Sequence, residues 1–151
     1  TKGTVSANLT QSRGQLAGAS VGDYAVFAGG HSGSNTNRNT VDAYNSSLTR
    51  STPTTLSQSR AGLTGISVEG YAIFAGGYYN AANTSSKVCY ATVNIYDKSL
   101  TRTTATALST KRSLLAGAVI GDYILLAGGE TKESGESSFT ELDVVDVYTL
   151  M

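Results

Sequence analysis

Apolar residues fall along this chain in short bursts divided by turn residues, with no sustained three- and four-residue spacing of the kind an amphipathic helix needs. The run Tyr24, Ala25, Val26, Phe27, Ala28 is apolar throughout and stops at Gly29 and Gly30. A short run bounded by such residues predicts a strand buried on both faces. Before it, Leu16, Gly18 and Ser20 alternate with Ala17, Ala19 and Val21, and Gly22 and Asp23 form a turn pair. After it, Val41, Asp42, Ala43 and Tyr44 alternate in and out and end in Asn45, Ser46 and Ser47. The polar, β-prone stretch 48–52 reads as a solvent-side edge strand. The pattern therefore predicts four short strands in about 50 residues and almost no helix.

This unit is written three times. Residues 9–30 return as 56–77 and again as 108–129. Arg13, Arg60 and Arg112 each stand 16 residues before the first glycine of the pairs Gly29-Gly30, Gly76-Gly77 and Gly128-Gly129. Tyr44, Tyr96 and Tyr148 follow at an even spacing of 52. A constant core with variable loops is the mark of stacked structural units.

An apolar run ending in Gly-Gly, a loop, then a tyrosine on the next strand resembles the kelch repeat. The resemblance rests on 24–30 with Tyr44, 71–77 with Tyr96, and 123–129 with Tyr148, and it spans essentially the whole chain. It implies an all-β propeller with one four-stranded blade per repeat, most often six blades to a ring. Small residues on the inner strand fit that expectation, because inner strands converge on a central channel. The family usually carries a Trp on the outer strand. This chain has none, and Leu48-Thr49-Arg50 and Leu100-Thr101-Arg102 occupy the corresponding stretches.

The blade units are expected at about 9–52, 56–104 and 108–151, and the third stops short of its outer strand. Tyr44 precedes Leu56, and Tyr96 precedes Leu108, by 12 residues, and joining the end of the chain to its start restores the same 12 between Tyr148 and Leu9. The expectation is that residues 1–6 (Thr1, Lys2, Gly3, Thr4, Val5 and Ser6) supply the missing strand to Val145, Val147 and Tyr148 of a partner copy. Three blades cannot close a ring. Two copies give six blades as a homodimer, and three copies give a less favoured nine.

Composition narrows function by exclusion. The net charge is zero and only 15% of residues are charged, so no basic stripe favours nucleic acid or an anionic membrane. No apolar run approaches a membrane span, and no leader pattern opens the chain. The single cysteine, Cys89, forms no intrachain disulfide framework and leaves the compartment open. The single histidine, His31, has no further ligands spaced for a metal site and reads as a loop residue. No nucleophile or paired-carboxylate motif appears, so neither catalysis nor a cofactor is expected.

The remaining candidates lie on the loops after the glycine pairs, 31–40, 78–92 and 130–144, which a propeller presents on one face. Tyr78, Tyr79 and Asn80 are candidates to stack on a sugar or a peptide, or else to pack their own loop. Arg13, Arg60 and Arg112 form either an arginine ring at a channel mouth that receives carboxylates or a repeated structural device. The leading expectation is a self-assembling structural or protein-interaction scaffold. A carbohydrate- or surface-binding module is the alternative.

Overall fold

The computed structural model describes residues 1–5, 7–33, 35–80 and 86–150. Ser6, the last residue of the expected exchanged strand, lies outside the described residues, as does Met151. Every regular element among the described residues is a strand. The first repeat folds as β1 (Ala17–Val21), β2 (Tyr24–Ala28), β3 (His31–Ser32), β4 (Thr36–Asn37), β5 (Val41–Tyr44) and β6 (Arg50–Ser51). The second gives β7 (Thr64–Val68), β8 (Tyr71–Ala75), β9 (Tyr78–Asn80), β10 (Lys87–Cys89), β11 (Val93–Asp97) and β12 (Arg102–Thr104). The third gives β13 (Ala116–Ile120), β14 (Tyr123–Ala127), β15 (Glu130–Thr131), β16 (Thr140–Glu141) and β17 (Val145–Thr149).

Each repeat builds one antiparallel meander. The first two are four-stranded, β1-β2-β5-β6 and β7-β8-β11-β12, and the third is three-stranded, β13-β14-β17. Register repeats from blade to blade: Val26 lies opposite Ala19 and Ala43, and Ile73 opposite Ile66 and Ile95. The loops after the glycine pairs are not plain loops. Each carries a small hairpin, β3 with β4, β9 with β10 and β15 with β16.

The outer strands are shorter than the sequence suggests. Leu48 and Leu100 take left-handed backbone (φ 60° and 62°) to close the preceding turn, so pairing starts only at Arg50 and Arg102. That turn is held by a side chain: Asn45 Oδ1 accepts from the amides of Ser47 (3.1 Å) and Thr49 (3.0 Å), and Asp97 Oδ1 does the same for Ser99 and Thr101, both at 2.9 Å. Competition between such side chains and the ladder is why they favour turns.

The core lies between blades, not within them. One cluster joins Val26, Ala28, Val41 and Ala43 of the first blade to Leu56, Leu63, Ala72, Phe74 and Tyr96 of the second. Its counterpart joins Ile73, Ala75 and Val93 to Leu108, Leu115, Ile124 and Leu126, with Ile95 and Tyr148 packed against it. Phe74 and Tyr96 meet edge to face at 5.9 Å, as Phe27 and Tyr44 do at 6.1 Å. Full burial of side chains this size stabilises by roughly 1.5–3 kcal/mol each.

Backbone bonds stitch the same boundaries. Across the first, the amides of Gly30, Leu56, Arg60 and Gly62 donate to the carbonyls of Arg60, Asn39, Arg38 and Gln15 at 2.9–3.0 Å. Across the second, those of Gly77, Leu108, Arg112 and Leu114 donate to Arg112, Ala91, Tyr90 and Gly62 at 2.8–3.0 Å. The first glycine of the pair permits this approach at both boundaries. It sits at positive φ (71° at Gly29), and a Cβ there would lie 2.6 Å from the Arg60 carbonyl oxygen.

Candidate functional site

Three regions were open to function by sequence: the arginines, the crown of loops after the glycine pairs, and the two end faces.

The arginines point inward. Arg13 donates from Nε to the Gly29 carbonyl (2.7 Å) and from its terminal nitrogens to Asp42 (2.8 Å) and the Phe27 carbonyl (3.2 Å). Arg60 reaches the carbonyls of Thr92 (3.1 Å) and Phe74 (3.2 Å) and Asn94 Oδ1 (3.0 Å). Arg112 reaches Val144 (3.2 Å), Leu126 (2.8 Å) and Asp146 (2.9 Å). All three guanidinium side chains are fully buried. The structure thus places them as struts tying the second and third strands of each blade together, away from the expected ligand-receiving ring. Their polar partners differ. Asp42 and Asp146 are carboxylates, whereas Asn94 is neutral, and burial beside it pulls the Arg60 pKa down to about 10.

The crown brings several candidates together. His31 is tied at the start of β3 by reciprocal backbone bonds with Gly14, both 2.9 Å. It lines a cleft of about 340 Å³ between the first and second crown hairpins, with Gln15, Asn35, Tyr78, Asn80 and Lys87. Tyr78 is the buried floor: its hydroxyl donates to Gln15 Oε1, and the Lys87 ammonium sits 4.4 Å from its ring centroid. Tyr79 stacks on Tyr90 at 4.8 Å. The Tyr78-Tyr79 pair expected to stack on a sugar thus has one ring buried and the other partnered within its own loop.

Lys87, Gln15 and Asn35 escaped the sequence reading. Gln15 carried no sequence signal of its own, since the equivalent positions hold Gly62 and Leu114. It holds a left-handed backbone (φ 52°) at the repeat position where the second blade has Gly62, a strained choice for a residue with a side chain. Cys89 is buried, its Sγ near Ser113 Oγ (3.6 Å) and the Glu130 carbonyl (3.5 Å), and burial pushes the thiol pKa up. In the third crown loop, Glu133 meets Lys111 at 3.3 Å with both side chains half exposed, a solvated surface pair.

The end faces carry the expected assembly residues. On the first blade an apolar groove of about 720 Å³ is lined by Val5, Leu9, Leu16, Ala25, Phe27 and Tyr44, among others. On the third, Val145 is 51% and Val147 57% exposed, whereas Val41 and Ala43 at the same repeat positions are fully buried. The far edge of β17 pairs with no strand among the described residues. Thr1, Lys2, Gly3, Thr4 and Val5 are exposed and outside any sheet. Tyr148 is anchored within its own chain, its hydroxyl donating to the Thr106 carbonyl at 3.1 Å, as Tyr44 does to Ala7 (3.0 Å) and Tyr96 to Thr54 (2.8 Å).

This arrangement of blades is that of a kelch-type β-propeller over part of a ring. A solved structure of YjhT, a kelch-repeat propeller protein, matches with a TM-score of 0.70 at 16% sequence identity. The match covers 90% of this chain and 47% of YjhT, so the chain spans about half the length of that protein. No protein-family profile matches the sequence, and no curated protein matches it. At this level of identity the likeness concerns the fold.

Proposed function

We propose that this chain is a non-catalytic half propeller that pairs head to tail with a second copy, closing a six-bladed ring that serves as a structural or protein-interaction scaffold. One observation carries the reading: its two open faces are the unmatched halves of an interface the chain already forms twice. Leu9, Leu16, Ala25, Phe27 and Tyr44 repeat the positions of Leu56, Leu63, Ala72, Phe74 and Tyr96. Leu125, Ala127, Val145 and Val147 repeat those of Val26, Ala28, Val41 and Ala43, their buried partners. Faces that differ from each other but complement each other make a heterologous contact, which yields a ring when its rotation closes.

The internal boundaries also specify the main-chain bonds of that contact. By repeat equivalence, Gly129 N–H donates to the partner's Arg13 carbonyl, and the partner's Leu9 and Arg13 amides donate to the carbonyls of Asp143 and Leu142. The partner's Thr1-to-Val5 segment then completes the third blade. Its Thr4 falls opposite Val147 and its Gly3 opposite Tyr148, copying Ser51 opposite Ala43 and Arg50 opposite Tyr44.

Light scattering on the purified chain tests the reading. The expected particle has the mass of two chains. A monodisperse one-chain particle overturns it, and a three-chain particle replaces the six-bladed ring by a nine-bladed one. Deleting residues 1–5 is expected to lower the melting temperature. An unchanged melt removes the strand exchange and leaves the pairing of faces to stand on the mass.

A further inference from the structure

We propose that the cleft between the first and second crown hairpins binds a small oxyanion, the carboxylate or phosphate group of a metabolite-sized molecule. The cleft is formed within one chain, so the inference is independent of ring closure.

The case rests on which polar groups are already used. Asn35 Oδ1 accepts from Asn80 Nδ2 at 3.2 Å, Asn37 Oδ1 accepts from the Asn80 amide at 2.6 Å, and Gln15 Oε1 accepts from the Tyr78 hydroxyl. These bonds lock the walls and engage the amide oxygens of Gln15, Asn35 and Asn37. Beside them stand donors, the NH₂ ends of Gln15 and Asn35 and the ammonium of Lys87, next to the ring of His31. No acidic side chain lines the cleft, and Lys87 has no carboxylate within ion-pair distance among the described residues. Its charge rests instead over the Tyr78 ring, at 4.4 Å from the centroid.

A half-buried cation surrounded by spare donors is complementary to an anion with several acceptor oxygens. A cationic ligand would meet the Lys87 charge with no acidic side chain in the lining to offset it. A neutral sugar would leave that charge without a counter-ion. At the next blade boundary Phe139 packs against Ala61, Tyr78 and Cys89, with the Lys132 ammonium 5.4 Å from its ring centroid.

His31 is the only histidine, so its imidazole gives a single NMR reporter at the site. The experiment titrates the chain with inorganic phosphate and, separately, with malonate, at fixed pH and constant ionic strength. A saturable shift of the His31 ring signals is expected with at least one probe, and the responding probe identifies the class as phosphate or carboxylate. Lys87→Met, which keeps an unbranched stem over Tyr78, is expected to weaken it at least about tenfold, while Lys87→Arg retains it. Lys87→Gln serves if the Met variant melts early. The proposal is overturned if the shift stays linear with both probes, or if removing the Lys87 charge leaves the affinity unchanged.

Discussion

The second and third blades share their first three strands in the same register, yet only one of them has two buried faces. In the second blade Ile73 and Val93 are buried against the third. In the third, Val145 and Val147 stand more than half exposed on strands of the same construction. The side chains are of one kind, so the difference lies in the neighbour. Burial in this fold belongs to a boundary between blades, and a single blade has no core of its own.

The strongest way to break that comparison is to cut the same aromatic on a covered and on an uncovered face. Phe74→Ala empties a fully buried position and is expected to lower unfolding free energy by about 3–5 kcal/mol in urea melts. Phe27→Ala, at the equivalent but only partly buried position, is expected to cost roughly half as much at dilution, where chains are single. On the proposed reading it also shifts light scattering to the one-chain mass. Equal losses from the two variants at dilution would show that the first blade's face is already covered within one chain.

Tyr96→Phe probes the same boundary more gently. It removes the 2.8 Å bond to the Thr54 carbonyl, worth about 1 kcal/mol. Burial pushes the Tyr96 pKa up to about 12, so the folded state favours the neutral phenol. That contribution is fully present below the ordinary value of 10 and is lost as pH rises from about 10 to about 12. Melts across this window are expected to fall steeply in the parent and less steeply in the Phe variant.

The arginine struts sharpen the comparison from inside the blades. Asn94→Asp gives Arg60 the carboxylate that Arg13 and Arg112 already have, and is expected to add on the order of 1 kcal/mol. A loss would show that desolvating the new carboxylate outweighs its attraction to Arg60. The smallest effect is expected at the turn. The Thr101 amide foremost, then Ser99, holds the Asp97 carboxyl below its ordinary 3.8. Its contribution is present above that value and is lost as pH falls through the lower folded pKa. Asp97→Asn is expected to remove this acid sensitivity and nothing else, since Asn45 caps the first blade's turn without a charge.

The repeat was legible because its signals are local. The bounds expected at 24–28 and 41–44 coincide with β2 and β5 to the residue, but the in-and-out alternation of 41–44 does not hold: all four side chains are buried, with Asp42 taken up by Arg13. The arginines were legible as recurrent but not as struts, because their acceptors lie 14 to 34 residues downstream on strands whose register the sequence leaves unstated. The crown hairpins are two or three residues long, too short for alternation to register. The cleft depends on which end of each amide is already occupied, a property of Gln15, Asn35 and Asn37 that composition does not carry. Pairing through the end faces could be argued from equivalence alone, because each position buried at an internal boundary has a counterpart on an end face.

The bonds across each boundary run between peptide groups, and they ask of the sequence little more than a glycine where the next arginine's carbonyl approaches. Those main-chain bonds are nearly indifferent to side-chain identity, while the cluster packed beside them asks only that its positions stay apolar and filled. Copies of the unit are therefore free to diverge, to be duplicated or lost in tandem, and to follow one another in any order, while the joint itself stays the same.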